Sequence, residues 1–314
     1  METILSIKEQ NISLTQPIEV IAFSDEEGRF GSMIGSKVMC GLSDDTVLLQ
    51  AQDENARTLA QALSERGKSL TQITQAQRSH HDFKAFIELH IEQGPLLDQK
   101  QIDIGIVENI VGISRWRACY LGQANHAGTT PMDMRKDAVM GLVHFAQELN
   151  QIIQQYGSPN ARATIGRVVT HPGYIGVIAQ KVEFTLDLRD VSQEKLAILD
   201  QVLEEHARLI AQQQHLEFQL TRVGQLKAMQ CHPSLTQYIE NISDELGYTS
   251  LRMTSGALHD TINLSALTDV AMIFVPSIQG ISHSGLEETH PQHLEKGAQL
   301  LGHVLLSLAC GKNH

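Results

Sequence analysis

Val20-Ile21-Ala22-Phe23-Ser24-Asp25-Glu26-Glu27-Gly28 runs four apolar residues into a serine, three consecutive acids and a glycine. A short apolar run bounded by turn-forming residues reads as a buried strand of an α/β sheet, and residues 20–23 are expected to form one. The acids then fall at the strand's C-terminal edge, where open α/β sheets place their ligand crevices. Adjacent carboxylates repel, so the arrangement is costly unless a cation lies between them or one takes a proton. Taken alone, the stretch reads more readily as a solvated acidic loop, and its neighbours along the chain have to decide.

Working outward, residues 1–18 lack glycine and show no obvious first strand. Residues 53–66 carry Ala56, Leu59, Ala60 and Leu63 at helical spacing, with Gly67 as a stop. His90 sits in the apolar run Phe86-Ile87-Glu88-Leu89-His90-Ile91, between Glu88 and Glu92. A single histidine in such a run is commonly a packed core residue, but flanking carboxylates can also orient a ligating imidazole. Residues 115–121 then read as a strand, 136–156 as a helix stopped by Gly157, and 164–170 and 181–188 as strands. A helix over 193–214 and a strand over 216–223 complete the order βαββαβ, the ferredoxin-like arrangement. Beyond Gly224 the α/β character returns. Residues 253–260 read as a polar, glycine-containing loop, 270–275 as a buried strand and 291–310 as a packing helix. The expected fold class is therefore α/β: a mixed-sheet catalytic domain from residues 1–113 and 224–314, interrupted by an inserted α+β domain over 114–223.

The 314 residues suffice for two domains with cores. A formal net charge of -12 argues against nucleic acid and anionic membrane as partners. No apolar run approaches membrane-spanning length and no signal-peptide pattern opens the chain, so a cytoplasmic location is expected. Cys40, Cys119, Cys231 and Cys310 lack CxxC spacing and read as reduced thiols rather than as a disulfide frame or zinc knuckle.

Three chemistry-bearing features are expected at strand ends of the α/β domain: Glu26-Glu27, His90 and His283. Carboxylate oxygen and imidazole nitrogen are the usual ligands of a hydrolytic zinc or manganese site. Water on such a metal is a nucleophile near neutral pH, and a neighbouring carboxylate can take its proton. Two adjacent glutamates suit that division, one ligating and one acting as base.

Four segments also carry a resemblance. Asp25-Glu26-Glu27-Gly28, Glu88-Leu89-His90-Ile91-Glu92-Gln93-Gly94-Pro95, Gly122-Gln123-Ala124-Asn125-His126-Ala127-Gly128-Thr129-Thr130-Pro131-Met132 and Gly280-Ile281-Ser282-His283-Ser284 resemble the amidase branch of the dinuclear zinc-peptidase family. That branch holds N-carbamoyl-L-amino-acid hydrolases, allantoate amidohydrolase and β-ureidopropionase-type enzymes. The resemblance implies a metal-dependent amidohydrolase acting on a small ureido acid, with two divalent ions (zinc or manganese) per subunit. It implies Glu26 as general base, Glu27, His90 and His283 as metal ligands, and a homodimer formed through the inserted domain. His126 would polarise the substrate carbonyl of the partner subunit's site. Arg189 would bind the substrate carboxylate, and Gln93 and Asn125 would contact substrate. Without the resemblance, His126 is a polar loop residue and Arg189 half of a surface salt bridge. His259 is expected to be a buried, hydrogen-bonded structural histidine. A dipeptidase or aminoacylase of the wider family is a further reading, which the second and third segments disfavour.

The chain also departs from that pattern. The resemblance leads one to expect, upstream of the glutamate pair, a His-x-Asp segment and a bridging aspartate. No histidine precedes His80 here. Each ligand set is then expected to be incomplete, with apolar sheet surface exposed, and the alternative is a catalytically inactive, truncated homologue that keeps the dimerising scaffold. The spacing from Glu27 to Arg29-Phe30 is one residue short, Gly176 stands where an asparagine is expected, and Leu258 where a glycine is.

Overall fold

The computed structural model describes residues 2–311. In chain order it holds α1 (Glu2–Glu9), α2 (Ile34–Met39), α3 (Asp45–Gln50), α4 (Leu59–Ser64), α5 (Leu70–Thr74), β1 (Phe86–Ile91), α6 (Leu96–Lys100), β2 (Ile104–Ile110) and β3 (Gly112–Leu121). Then follow α7 (Ala138–Tyr156), β4 (Arg162–His171), β5 (Lys181–Asp190), α8 (Gln193–Gln213), β6 (Glu217–Leu226) and β7 (Met229–Gln230). The chain continues through α9 (Pro233–Glu245), β8 (Ser250–Ser255), α10 (Thr261–Leu264) and β9 (Val270–Val275) to α11 (Pro291–Ala309). Contacts divide these elements into two units: one up to Ile110 and again from Gln230, the other Val111–Met229.

In the first unit a five-stranded mixed sheet runs β1-β9-β2-β7, with β8 also pairing β2. The β1–β9 and β2–β8 ladders are parallel and β2–β9 is antiparallel. Every residue of β9 is buried, as expected of a continuous apolar strand covered on both faces. Leu235 and Ile239 of α9 and Leu300 and Val304 of α11 close over Ile104, Ile106 and Ile273, building the core from helical 3–4 spacing against strand alternation.

Three expectations fail here. Residues 20–23 enter no ladder: β1 pairs with β9 alone, and a cavity of ≈ 520 Å³ is lined by both 16–23 and β1. Phe23 meets β1 through its ring, 6.3 Å from that of Phe86, and Val20 is 55% exposed. Open space thus separates the two segments, and their backbones do not approach closely enough to pair. The helix expected from residue 53 starts only at Leu59. Asp53 accepts from the amides of Asn55 and Arg57, and Ala56 is left-handed at φ +60°, so the side chain diverts the backbone into a turn first. Residues 253–255 are strand rather than loop, because β8 finds a parallel partner in β2 as far as Ser255.

The second unit is a four-stranded antiparallel sheet in the order β4-β5-β3-β6, with α7 and α8 packed against each other and on the sheet. This is the expected βαββαβ arrangement. In β5, Val182, Phe184, Leu186 and Leu188 alternate inward and meet Phe145 of α7 and Leu203 of α8. The core is tied by Asp200 of α8, whose Oδ1 accepts from Trp116 Nε1 and Ser114 Oγ, both at 2.6 Å. Its Oδ2 accepts from Arg222 Nε at 2.7 Å. No helix among the described residues is long and apolar enough to cross a membrane.

Candidate active site

The acidic stretch is a knotted turn. Asp25 is left-handed (φ +62°), and its carboxylate accepts from the amides of Arg29 and Phe30, at 2.5 and 3.0 Å. The Met33 amide closes the turn onto the carbonyls of Asp25 and Glu26. Helix α2 begins there, and Gly35 brings it against the chain: a β-carbon at that position would lie 2.8 Å from the Ser24 amide nitrogen. One residue on, Ser36 hydrogen-bonds Asp260 through its hydroxyl and accepts from Asn263 Nδ2 at 2.8 Å. The turn is thereby fastened to the segment that carries His259.

Within this frame Glu26 is half-buried. Burial pushes its carboxyl above the usual range, the charges of Glu27 and Asp260 push the same way, and His90 opposes them. Glu27 points outward, its Oε2 3.8 Å from His283 Nε2, and both side chains are largely exposed. His283 is itself left-handed at φ +55°, and its amide donates to Glu287 at 3.0 Å. The segment before it is set by Gly280: φ is +69°, and a β-carbon there would meet the Pro95 nitrogen at 2.6 Å. Gln93, left-handed at φ +56°, donates its amide to Ser277 Oγ at 3.0 Å. Asp25, Gln93 and His283 are thus non-glycine residues held in left-handed backbone in three of the segments singled out above, a costly conformation that persists only where the surroundings impose it.

His90 lies near the C-terminal end of β1 with Nδ1 2.9 Å from the Ile91 carbonyl oxygen. Glu92, two residues along the same face, uses both oxygens to cap α6, accepting from the amides of Leu96 and Leu97 at 2.8 Å each. It therefore does not orient the imidazole. The neighbour His90 does find is His259, ring to ring at 4.6 Å and edge-on. Among the described residues one group of three has ligand atoms all within 4.8 Å of one another: Glu88, His90 and His259. His259 is buried and hydrogen-bonded as expected, and burial, reinforced by His90, pushes its imidazole down to about 3. Burial pushes Glu88 up, against two bonds from Thr261. Two imidazoles and a carboxylate are a donor set that suits a hydrolytic divalent ion. Reading along the chain missed Glu88 and His259 as members. The one available signal was the i, i+2 spacing that sets Glu88 and His90 on one face of a strand.

The remaining site candidates belong to the second unit. Asn125 Oδ1 accepts from the His126 amide at 2.9 Å, and His126 Nδ1 accepts from the amides of Gly128 and Thr129 at 3.0 and 3.2 Å. A neutral His126 ring therefore carries its proton on Nε2, as an exposed donor. Arg189 on β5 grips Asp187 through Nε at 2.6 Å and a second nitrogen at 3.2 Å, and Arg115 holds the same carboxylate at 2.8 Å. Asp187 is partly buried, which pushes it up, but the two guanidinium groups win and hold it below the usual carboxylate range.

A mixed-sheet α/β unit that brings a carboxylate and two imidazoles together, interrupted by an antiparallel α+β unit, suits hydrolytic metal chemistry. The comparisons agree: the model of peptidase family M20/M25/M40 matches residues 1–307, and the chain belongs to that family. It is 33% identical over 315 residues to an N-carbamoyl-L-amino acid amidohydrolase of Geobacillus stearothermophilus, covering 99% of this chain and 76% of that one. Identity to the allantoate amidohydrolase of Escherichia coli (strain K12) is 31% over 308 residues, 98% of this chain and 74% of the relative. A crystal structure of an amidase of the hydantoinase/carbamoylase family from Burkholderia multivorans superposes with a TM-score of 0.90 at 32% identity, covering 99% of this chain and 75% of that one.

Proposed function

We propose that this chain is a metal-dependent amidohydrolase that cleaves the C–N bond of linear ureido or carbamoyl acids, of the kind its relatives are named for. The observation that carries the reading is the meeting of Glu27 and His283, distant in sequence, at 3.8 Å, with half-buried Glu26 beside them and within electrostatic reach of His90. Glu27, His90 and His283 are the candidate ligands of the metal centre. A divalent ion, zinc or manganese, would supply Lewis-acid polarisation of the amide carbonyl and a more acidic bound water.

The chain's own residues account for the rest. Glu26 takes the proton of the attacking water and returns it to the departing nitrogen. His126, with Nδ1 satisfied by two backbone amides, offers Nε2–H to the developing oxyanion. In a homodimer formed through the α+β unit, that donor serves the site of the opposite subunit. Arg189, oriented by Asp187, receives the substrate carboxylate, and Gln93 and Asn125 contact the ureido group. The test is ammonia release from N-carbamoyl-L-amino acids and allantoate in the presence of zinc or manganese. Glu26→Gln should lower turnover by about 10²–10⁴. Turnover that survives this change intact removes Glu26 from the chemistry.

A further inference from the structure

Across the sheet of the second unit, Arg117 of β3 pairs in register with Thr185 of β5, and Arg167 of β4 donates its amide to Thr185 Oγ1 at 3.1 Å. The three residues thus form one row over three strands. Arg167 reaches that row through an irregularity. Ala163 and Ile165 pack on the core shared with α7 and α8, and strict alternation would send Arg167 to the same side. The ladder slips between Ile165, opposite Leu186, and Val168, opposite Phe184, so that Gly166 and Arg167 together face Thr185. This β-bulge re-aims Arg167 to the face away from the helices. There it lines a hollow of ≈ 290 Å³ with Arg117, Thr185, Val169 and Glu183.

The hollow is rich in donors. Every other lysine and arginine of β3, β4 and β5 has an acceptor: Arg115 and Arg189 share Asp187, Lys181 holds Glu183 at 2.5 Å, and Arg162 takes the carbonyls of Pro159 and Ala161. Among the described residues Arg117 and Arg167 find no carboxylate. Glu183, the acid on the rim, is committed to Lys181 and to His171 Nε2 at 3.4 Å. Thr185 Oγ1 accepts from Arg167 and keeps its own proton to give. The strands flanking β5 stand about 10 Å apart, so two long guanidinium side chains meet over Thr185 from opposite sides. Like charges gathered in this way repel unless an anion lies between them, and the chain as a whole has acid to spare at a net charge of -12. A flat carboxylate is saturated by a single guanidinium fork, whereas a tetrahedral oxyanion accepts from both forks and the hydroxyl.

We propose that Arg117, Arg167 and Thr185 form a binding site for a tetrahedral oxyanion of the phosphate class, free or as a small monoester. Arg189 lies four residues along β5 from Thr185, about 13 Å away. The site is therefore separate from the residue given to the substrate carboxylate, and it does not rest on the amidohydrolase reading.

The experiment is calorimetric titration of the full-length chain with inorganic phosphate and with phenyl phosphate, at fixed ionic strength because salt screens such contacts. Saturable binding of one phosphate per chain is expected. Arg117→Gln and Arg167→Gln should each weaken it at least about tenfold, and Thr185→Val about 2–10-fold, with melting curves matching the parent. Arg162→Gln removes the same charge from the same strand outside the hollow and should change the affinity less than about twofold. Equal affinities for the two probes make the free ion the ligand; tighter phenyl phosphate, favoured by the apolar Val169 side chain, makes it an ester, and either upholds the site. No saturable binding, or affinity untouched by Arg117→Gln and Arg167→Gln, overturns it. So does an equal loss with Arg162→Gln, which reduces the effect to net charge. Malonate bound as tightly as phosphate overturns the assignment to a tetrahedral anion.

Discussion

Asp200→Ala should destabilise the second unit by about 3–5 kcal/mol, and the structure says where the loss arises. The carboxylate gathers three donors, Ser114 Oγ, Trp116 Nε1 and Arg222 Nε, all within 2.7 Å. Ser114 and Trp116 are buried at 2% and 0% exposure, so without Asp200 each becomes a desolvated donor with no acceptor, at about 1–3 kcal/mol apiece. Arg222 adds less. Its side chain is 37% exposed and keeps Glu204, so its share is that of a surface pair, below about 1 kcal/mol. Asp200→Asn keeps one carbonyl oxygen for Ser114 and Trp116 and turns an amide towards Arg222, so it should cost only about 1–2 kcal/mol. Trp116 is the chain's single tryptophan, and its fluorescence in a urea titration therefore reports the unit that holds it. An alanine variant within about 1 kcal/mol of the parent, or an asparagine variant as damaging as alanine, would refute the assignment of the loss to two orphaned buried donors.

Other perturbations test other parts. Gly280→Ala places a β-carbon 2.6 Å from the Pro95 nitrogen at φ +69°, so thermal melting should show a loss of about 1–3 kcal/mol, and turnover should fall as the His283 segment shifts. Asp103 is pushed up by partial burial but held below the usual carboxylate range by Lys296 and Thr249, so it stabilises the fold above its unfolded value near 3.9 and stops doing so as pH falls through its lower folded value. Asp103→Asn should therefore cost about 0.5–1 kcal/mol at pH 7, and denaturant titrations at pH 7 and pH 3 should show the difference shrinking in acid. Burial pushes the thiols of Cys40 and Cys231 up, to about 11 and about 12, while Cys310 is exposed. A disulfide reagent on the folded chain should label Cys310 first and reach Cys40 and Cys231 only on unfolding; equal rates for all would refute the burial.

What could be read along the chain was what local period decides. Strand β5 alternates Val182, Phe184, Leu186 and Leu188 and appears as expected. Helices α7 and α8 start at Asp137 and Ser192, which cap them with side-chain oxygens, and the βαββαβ order follows from these spacings. The four family segments were legible for the same reason, since each is contiguous. What failed was partner choice. Residues 20–23 have the composition of a strand but no backbone beside them to pair with, residues 253–255 look like a loop but have β2, and Asp53 redirects its own helix start. The site divides in the same way. Glu26, Glu27, His90 and His283 could be named as candidates from sequence because each sits in a contiguous segment that resembles the family's. The closeness of His259 to Glu88 arises from a ladder, a return of the chain after β8 and a chain of hydrogen bonds through Ser255. No residue's identity encodes that distance, and only the packed tertiary structure creates it.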